Sequence, residues 1–235
     1  MIKGFKIKES TISKNNWEAT KDRSAIIEND DITGYISQNE NGTPILDGER
    51  LINDWFPDDS DKNIFISHAH KDAQLVENFA SFLENKGAKP FVDFEIWGRC
   101  TELIKKINNE FNTVCGEKNT YYYSDALSIS ANIYIILVTA LNKMISQCST
   151  FIFIESDNSI KDDYTYSPWI MEELNTFNIL YCNNRIEKRY LESAAYTNFN
   201  VAVSFKINDI ISNLKEIEKQ EDFYKIVESG EVYGE

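Results

Sequence analysis

The sequence predicts an α/β fold: a doubly wound, flavodoxin-like parallel sheet with a short N-terminal extension. Three observations carry that expectation. Residues 63–67 (Asn-Ile-Phe-Ile-Ser) form a short apolar run without polar alternation, as in a parallel strand covered on both faces. Residues 72–86 then put Leu75, Phe79, Phe82 and Leu83 on one helical face, Gly87 caps the end, and Pro90-Phe91-Val92-Asp93 resumes as a second strand. A third apolar run, Thr-Phe-Ile-Phe-Ile-Glu at 150–155, follows a helical stretch from about 126 to 147.

The remaining elements follow in order. Residues 1–60 read as an extension of unknown role, with a strand at 2–7, a turn at Asn41-Gly42-Thr43-Pro44 and a short amphipathic helix over 47–56. In that helix Leu51, Ile52, Trp55 and Phe56 share a face, and Pro57-Asp58-Asp59-Ser60 marks the boundary of the domain at 61–235. Trp17, Trp55 and Phe56 imply some buried surface in the extension. Residues 113–124 are an insertion without a readable pattern. Ser167-Pro168 signals a helix start, Ser as cap and Pro as first helical residue, with Ile170, Leu174, Phe177 and Ile179 as the buried face. A strand over 200–205 and a closing helix over 210–227 complete the alternation.

Composition agrees with a packed globule: 42% of the 235 residues are hydrophobic, and nine Gly and four Pro are too few for a linker-rich chain. A formal charge of −14, without a basic patch, argues against nucleic acid and anionic membranes as partners. Any anionic small molecule must therefore meet local positive charge or helix N-termini. Cys100, Cys115, Cys148 and Cys182 lack the spacing of a zinc or redox motif, which points to reduced thiols and a cytoplasmic protein. There is no charged-then-apolar leader, and no apolar run approaches the roughly 18–20 residues of a membrane helix, the nearest being 133–140.

Ligands of doubly wound sheets sit beyond the carboxyl ends of the strands. Those ends carry Ser67-His68, Asp93-Phe94, Glu155-Ser156 and the approach to Ser167. Here three blocks resemble a bacterial Toll/interleukin-1 receptor (TIR) domain: Ile64-Phe65-Ile66-Ser67-His68-Ala69-His70-Lys71-Asp72, then Pro90-Phe91-Val92-Asp93, then Ser167-Pro168-Trp169-Ile170-Met171-Glu172-Glu173-Leu174. They occur in the family's order and cover roughly residues 62–205.

The resemblance implies an enzyme that cleaves NAD⁺ at its nicotinamide–ribose bond, as an NAD⁺ glycohydrolase or ADP-ribosyl cyclase, with NAD⁺ as substrate and no resident cofactor. The family's catalytic glutamate lies four positions after the motif tryptophan, here Glu173 after Trp169. A helical step of four puts both on one face, whereas Glu172 points about 100° away. By the same resemblance, Ser67, His68 and Lys71 contact the dinucleotide, and Phe94 and Trp97 stack on a ring from a loop running from Asp93 to Cys100. That loop reaches across to a second subunit, so activity depends on self-association. Stand-alone chains of this look serve antiphage defence of the Thoeris kind, where a partner effector reads the nucleotide product. Whether the product is linear or cyclic stays open.

Other readings weigh less. His68 and His70 form an HxH pair with no third ligand nearby, so no metal is expected. Without the resemblance Glu173 is one more acid on a solvated helix face, Trp169 a core aromatic, Lys71-Asp72 a helix start and Tyr121 to Tyr123 ordinary packing. The alternative from another class is a non-enzymatic TIR adaptor acting by association alone. A Rossmann dehydrogenase is disfavoured because no GxGxxG occurs.

Overall fold

The computed structural model describes residues 3–14, 32–38, 40–42, 44–56, 61–115, 117, 120–181, 203–219, 222–224 and 226–227, without the side chains of 32–33 and 94–99. Trp17, Thr43, 57–60, Cys182, 200–202 and the side chains of Phe94 and Trp97 lie outside that description. The chain divides into two compact units: Met1–Asp22 with Asp61–Val92 and Asn142–Glu235, and Arg23–Ser60 with Asp93–Leu141.

The first unit is α/β, with a five-stranded, all-parallel sheet. Its strands are β1 (Lys3–Lys8), β4 (Ile64–Ser67), β5 (Pro90–Val92), β6 (Thr150–Glu155) and β9 (Lys215–Ile217), and the spatial order is β5-β4-β6-β1-β9. The strand expected at 2–7 thus forms, but as an interior strand hydrogen-bonded to β6 and β9. Helix α1 (Glu9–Ser13) follows β1 and packs on α3 (Ala73–Asn85), which connects β4 to β5. Gly87 caps the turn after α3 with a φ of +90°, a conformation that favours glycine.

Register decides what shares a face, because parallel partners point the same way. Phe65, Phe151 and Gly4 are aligned, as are Ser67, Phe153 and Lys6 one step further toward the carboxyl ends. Phe91, Phe65 and Phe151 stack along this face at 5.5 and 5.7 Å between ring centres, and Phe177 of α6 (Pro168–Tyr181) stacks on Phe151 at 4.7 Å. Each buried ring contributes on the order of 1.5–3 kcal/mol through burial. The other face carries Ile64, Ile66, Ile152, Ile154, Phe5 and Ile7, all buried.

Ser167 caps α6, its Oγ accepting from the Ile170 backbone N–H at 3.3 Å, and Pro168 takes the first helical position. Ile170, Leu174 and Phe177 are buried as expected, but Ile179 is exposed: it lies off the 170–174–177 stripe. Before α6, Lys161 and Tyr164 close a two-residue turn with both backbone hydrogen bonds, and Asp162 and Asp163 have φ of 49° and 70°. Positive φ at both central positions is the type I′ geometry, which asparagine and glycine adopt with less strain. Strand β7 (Tyr164–Thr165) follows it and pairs with β8 (Phe205–Lys206).

The carboxyl-terminal expectation of a single helix over 210–227 is corrected. Helix α7 (Asn208–Ile211) ends early, β9 then joins the sheet, and among the described residues after it 222–224 and 226–227 are helical. Ile207, Ile211, Leu214 and Ile217 are buried at helix-like spacing, which disguises the strand. Strand β8, at the end of the expected 200–205 strand, belongs to the small pair with β7 and not to the main sheet.

The second unit holds a hairpin of β2 (Ile36–Gln38) and β3 (Pro44–Leu46), with Gly42 at φ +76° in its turn, and α2 (Gly48–Trp55). Asp47 caps α2, accepting from the Arg50 backbone N–H at 3.0 Å, and Leu51, Trp55 and Phe56 are buried. Two longer helices complete it: α4 (Phe94–Phe111) and the start of α5 (Tyr123–Gln147). The loop expected between Asp93 and Cys100 is therefore corrected to helix. Cys100, Leu103 and Ile107, all buried, continue a helical stripe that carries the chain straight out of the turn at Asp93. The unread insertion is a short hairpin-like connection in which Thr113 bridges Tyr121, and Asn112 Nδ2 donates to Asn108 Oδ1 (2.7 Å) and the Tyr122 carbonyl (3.2 Å).

By length and composition α5 is apolar enough to cross a membrane, a feature hidden in sequence by the scattered Ser and Asn residues. Ile133, Leu137, Ala140, Leu141 and Met144 are buried, but only 22% of its most apolar window is, so one side of the helix packs and the rest is open.

Candidate functional site

Sheet topology indicates where to look. From β4 the chain moves to β5 on one side, while β6 lies on the other, so the order switches between β4 and β6. Ser67 and His68 leave the carboxyl end of β4, and Ser156 leaves that of β6.

A buried polar network joins these two ends. Asp72 sits at the start of α3, but its carboxylate does not cap that helix. Its Oδ2 accepts from Ser156 Oγ, and its Oδ1 accepts from Asn158 Nδ2 at 2.6 Å. Ser156 Oγ in turn accepts from the backbone N–H groups of Asn158 (3.2 Å) and Ser159 (3.1 Å), while Ser159 Oγ accepts from the Ser156 N–H at 2.9 Å. The loop after β6 is wound around one hydroxyl and tethered to the loop after β4. Asp72→Ala strands Ser156 and Asn158 together, so we expect a loss of about 1–3 kcal/mol, with Asp72→Asn milder. A thermal melt checks this, at roughly 2–4 °C per kcal/mol for a chain of this size.

Glu173 is brought to the same end from above. Tyr181 Oη donates to the Ile145 carbonyl, just before β6 begins, so α6 runs antiparallel to the strands. Phe177 lies over the row of Gly4 and Phe151, and Glu173 is one helical turn, about 6 Å, nearer the carboxyl ends. Ser67 lies two residues beyond Phe65 in that same row, about 6.6 Å in the same direction. Glu173 and Ser67 thus share a level and a face, under a helix that packs on β4.

Both groups are buried: Glu173 is 1% exposed and Ser67 0%. Ser67 Oγ has no hydrogen-bond partner among the described residues. Trp169, one turn before Glu173, is half-buried. Glu172 is half-exposed, its Oε1 accepting from Asn142 Nδ2 at 3.4 Å. Lys6 lies in the Ser67 row, two strands away, with its ammonium 3.6 Å from Glu216. Lys8 also meets Glu216, at 3.0 Å, and this contact holds the Glu216 carboxyl below its ordinary range.

The other expected residues are distributed less tightly. His68 is buried, with Nδ1 3.3 Å from the Ile66 carbonyl, whereas His70 and Lys71 face solvent. Asp93 is buried in the second unit, and Phe94 and Trp97 stand on α4 rather than in a loop. Among the described residues, no group of three or more His, Cys, Asp or Glu is placed to hold a metal ion. Asp72, Asn158 and Ser159 were not foreseen. Polar residues at a strand end hint at them, but the bond from Asp72 to Ser156 spans distant parts of the chain.

Burial pushes the Cys100 and Cys148 thiols up to about 12, whereas Cys115 is exposed. At pH 8 a thiol raised to 12 is thiolate in roughly one molecule in 10⁴. In a Cys182→Ser background we therefore expect one fast-reacting thiol toward a disulfide reagent, abolished by Cys115→Ser. Fast labelling of Cys100 or Cys148 in the folded protein would contradict the burial.

No protein-family model, no curated protein and no solved structure matches this chain.

Proposed function

We propose that this chain is a TIR-type enzyme that cleaves the nicotinamide–ribose bond of NAD⁺, with Glu173 as its catalytic carboxylate. The observation that carries the reading is the burial of Glu173 on the sheet-facing side of α6, level with Ser67 at the switch between β4 and β6. An acid in that position is not a solvated surface charge, and a buried carboxylate is costly unless it has work to do or a partner. The strand order supports the finer fold reading. With β4 counted first, the arrangement is the second-first-third-fourth-fifth pattern of flavodoxin-like sheets, the N-terminal β1 filling the fourth place.

The chemistry needs little beyond one carboxylate. The bond from ribose C1′ to the pyridinium nitrogen breaks, its electron pair stays on nitrogen, and nicotinamide leaves neutral. Positive charge grows on the ribose, where the Glu173 carboxylate stabilises it. Water adds to C1′ and releases a proton, giving ADP-ribose; attack by another atom of the same molecule gives a cyclic product instead. Trp169 walls the ribose side, and Ser67 offers a hydroxyl to the bound substrate. Self-association and a phage-derived trigger, with an effector reading the product, complete the proposal for the cell.

The test is mass spectrometry of NAD⁺ incubated with concentrated purified chain, with and without lysate of phage-infected cells. A new ADP-ribose species supports the reading. Intact NAD⁺ under every condition, from folded protein, moves the assignment to the adaptor.

A further inference from the structure

Two loops leave the sheet where its strand order switches, after β4 and after β6, and between such loops lies the crevice in which doubly wound sheets bind ligands. The crossovers from β4 to β5 and from β6 to β9 run in opposite directions, so right-handedness places α3 and α6 on opposite faces. Glu173 and Ser67 therefore stand on the α6 side of the crevice. Asp72, at the entry to α3, stands at its back, where it is joined to Ser156 and Asn158.

The chemistry of this tether leaves little freedom. Ser156 Oγ has one proton and two lone pairs, and all are used: the proton goes to Asp72, the lone pairs to the backbone N–H groups of Asn158 and Ser159. Asp72 meets a donor at each oxygen, a hydroxyl at one and an amide at the other, so the position calls for a group that only accepts. The loop after β4 has only His68–Lys71 between the ladder at Ser67 and Asp72, and the Asp72 N–H donates to the Ala69 carbonyl at 2.8 Å. It is pinned at both ends. The loop after β6 starts wound on the same hydroxyl and runs on to Ser167 and Trp169.

We propose that Asp72 and Ser156 are positioning residues for the reaction at Glu173: their bond sets the separation of the two loops, and so the alignment of the ribose against the carboxylate. This rests on the NAD⁺-cleaving reading given above. Both side chains are buried behind the crevice and act through the loops they join. Binding tolerates a small change in that separation, whereas a misplacement of about 1 Å slows turnover by up to about 100-fold. Loss of the tether therefore falls on kcat more than on KM.

A swap of donor and acceptor tests it. Ser156→Ala, Asp72→Asn, Asn158→Asp and the double variant Asp72→Asn/Asn158→Asp are compared as full chains in NAD⁺ turnover, well below their melting temperatures and with folding checked by circular dichroism. Ser156→Ala should lower kcat by about 10- to 100-fold with KM changed far less. Asp72→Asn sets amide against amide, and Asn158→Asp sets carboxylate against carboxylate, so both should also lose kcat. The double variant again faces a donor with an acceptor and keeps an acceptor for Ser156, so it should recover most of the loss. Folded single variants with wild-type kcat overturn the proposal, and that is the result a purely stabilising tether gives. A double variant no better than its parents overturns it as well.

Amide hydrogen exchange separates this proposal from the reading on which it rests. In Asp72→Asn, residues 68–71 and 157–159 should lose protection together and regain it in the double variant, whether or not NAD⁺ is cleaved. If exchange behaves in this way while the wild-type chain leaves NAD⁺ intact, the catalytic reading falls and the positioning role with it, but the tether stands. Unchanged exchange at 68–71 in every variant defeats the tether itself.

Discussion

NAD⁺ incubated with the Glu173→Gln protein is expected to stay intact under conditions in which the wild-type chain consumes it. The loss should be at least about 100-fold, the scale on which removal of one preorganised electrostatic group slows an enzyme. Glutamine keeps the shape and the hydrogen-bonding reach of the side chain and removes the charge, so the variant separates chemistry from packing. Its far-ultraviolet circular dichroism should match that of wild type, because the amide keeps the size and shape of the buried side chain. Glu172→Gln is the internal control. Glu172 is half-exposed and bonded to Asn142, and it should retain activity within about threefold. Equal loss in the two variants, or full activity in Glu173→Gln, would remove Glu173 from the catalytic role.

The second large effect is on stability. Gly4 is one of the points where α6 touches the sheet: a Cβ there would lie 2.3 Å from Phe177 Cζ and 2.7 Å from Leu214 Cδ2. Real carbon atoms do not approach so closely, so any side chain at this position must push the Phe177 ring off Phe151. Gly4→Val should destabilise the chain by about 3 kcal/mol or more, at the upper end of overpacking costs, and Gly4→Ala by less. Because Phe177 stands one turn from Glu173, the Ala variant should also lose activity out of proportion to its melting temperature. Phe177→Leu shortens the obstacle, so it should cost less in the Gly4→Ala background than in wild type, a coupling that chemical denaturation of the four proteins measures. Additive effects would mean that the ring and Gly4 do not meet.

What could be read from sequence was local chemistry with one dominant period. Strand 150–155 is apolar from Phe151 to Ile154 and forms over the expected residues, and Ser167-Pro168 opens α6 because the cap and the first helical residue are specified side by side. Where two periods fit the same residues, local pattern does not decide between them. Ile207, Ile211 and Leu214 sit at helical spacing, yet the chain turns after α7, and a three-residue strand is too short to show alternation. A loop after Asp93 is what the family resemblance implies, although Cys100, Leu103 and Ile107 carry a helical stripe. Long-range pairings lay beyond reach. Nothing local in Asp72 says that its partners are Ser156 and Asn158, and nothing in Lys3–Lys8 says that its neighbours lie near the other end of the chain. Glu173 could be named from resemblance, while its burial beside the Ser67 row required the register of the sheet.

That interior position of the N-terminal strand sets a timetable for folding. On the ribosome Lys3–Lys8 emerges well before the strands it must pair with, Thr150–Glu155 and Lys215–Ile217. Until then a strand with two unpaired sides has to wait, held only by neighbours such as α1, and contacts of such long sequence separation form slowly. The nascent chain therefore closes its sheet only once Lys215–Ile217 is made, and deletion of Lys3–Lys8 removes an interior strand that separates β6 from β9.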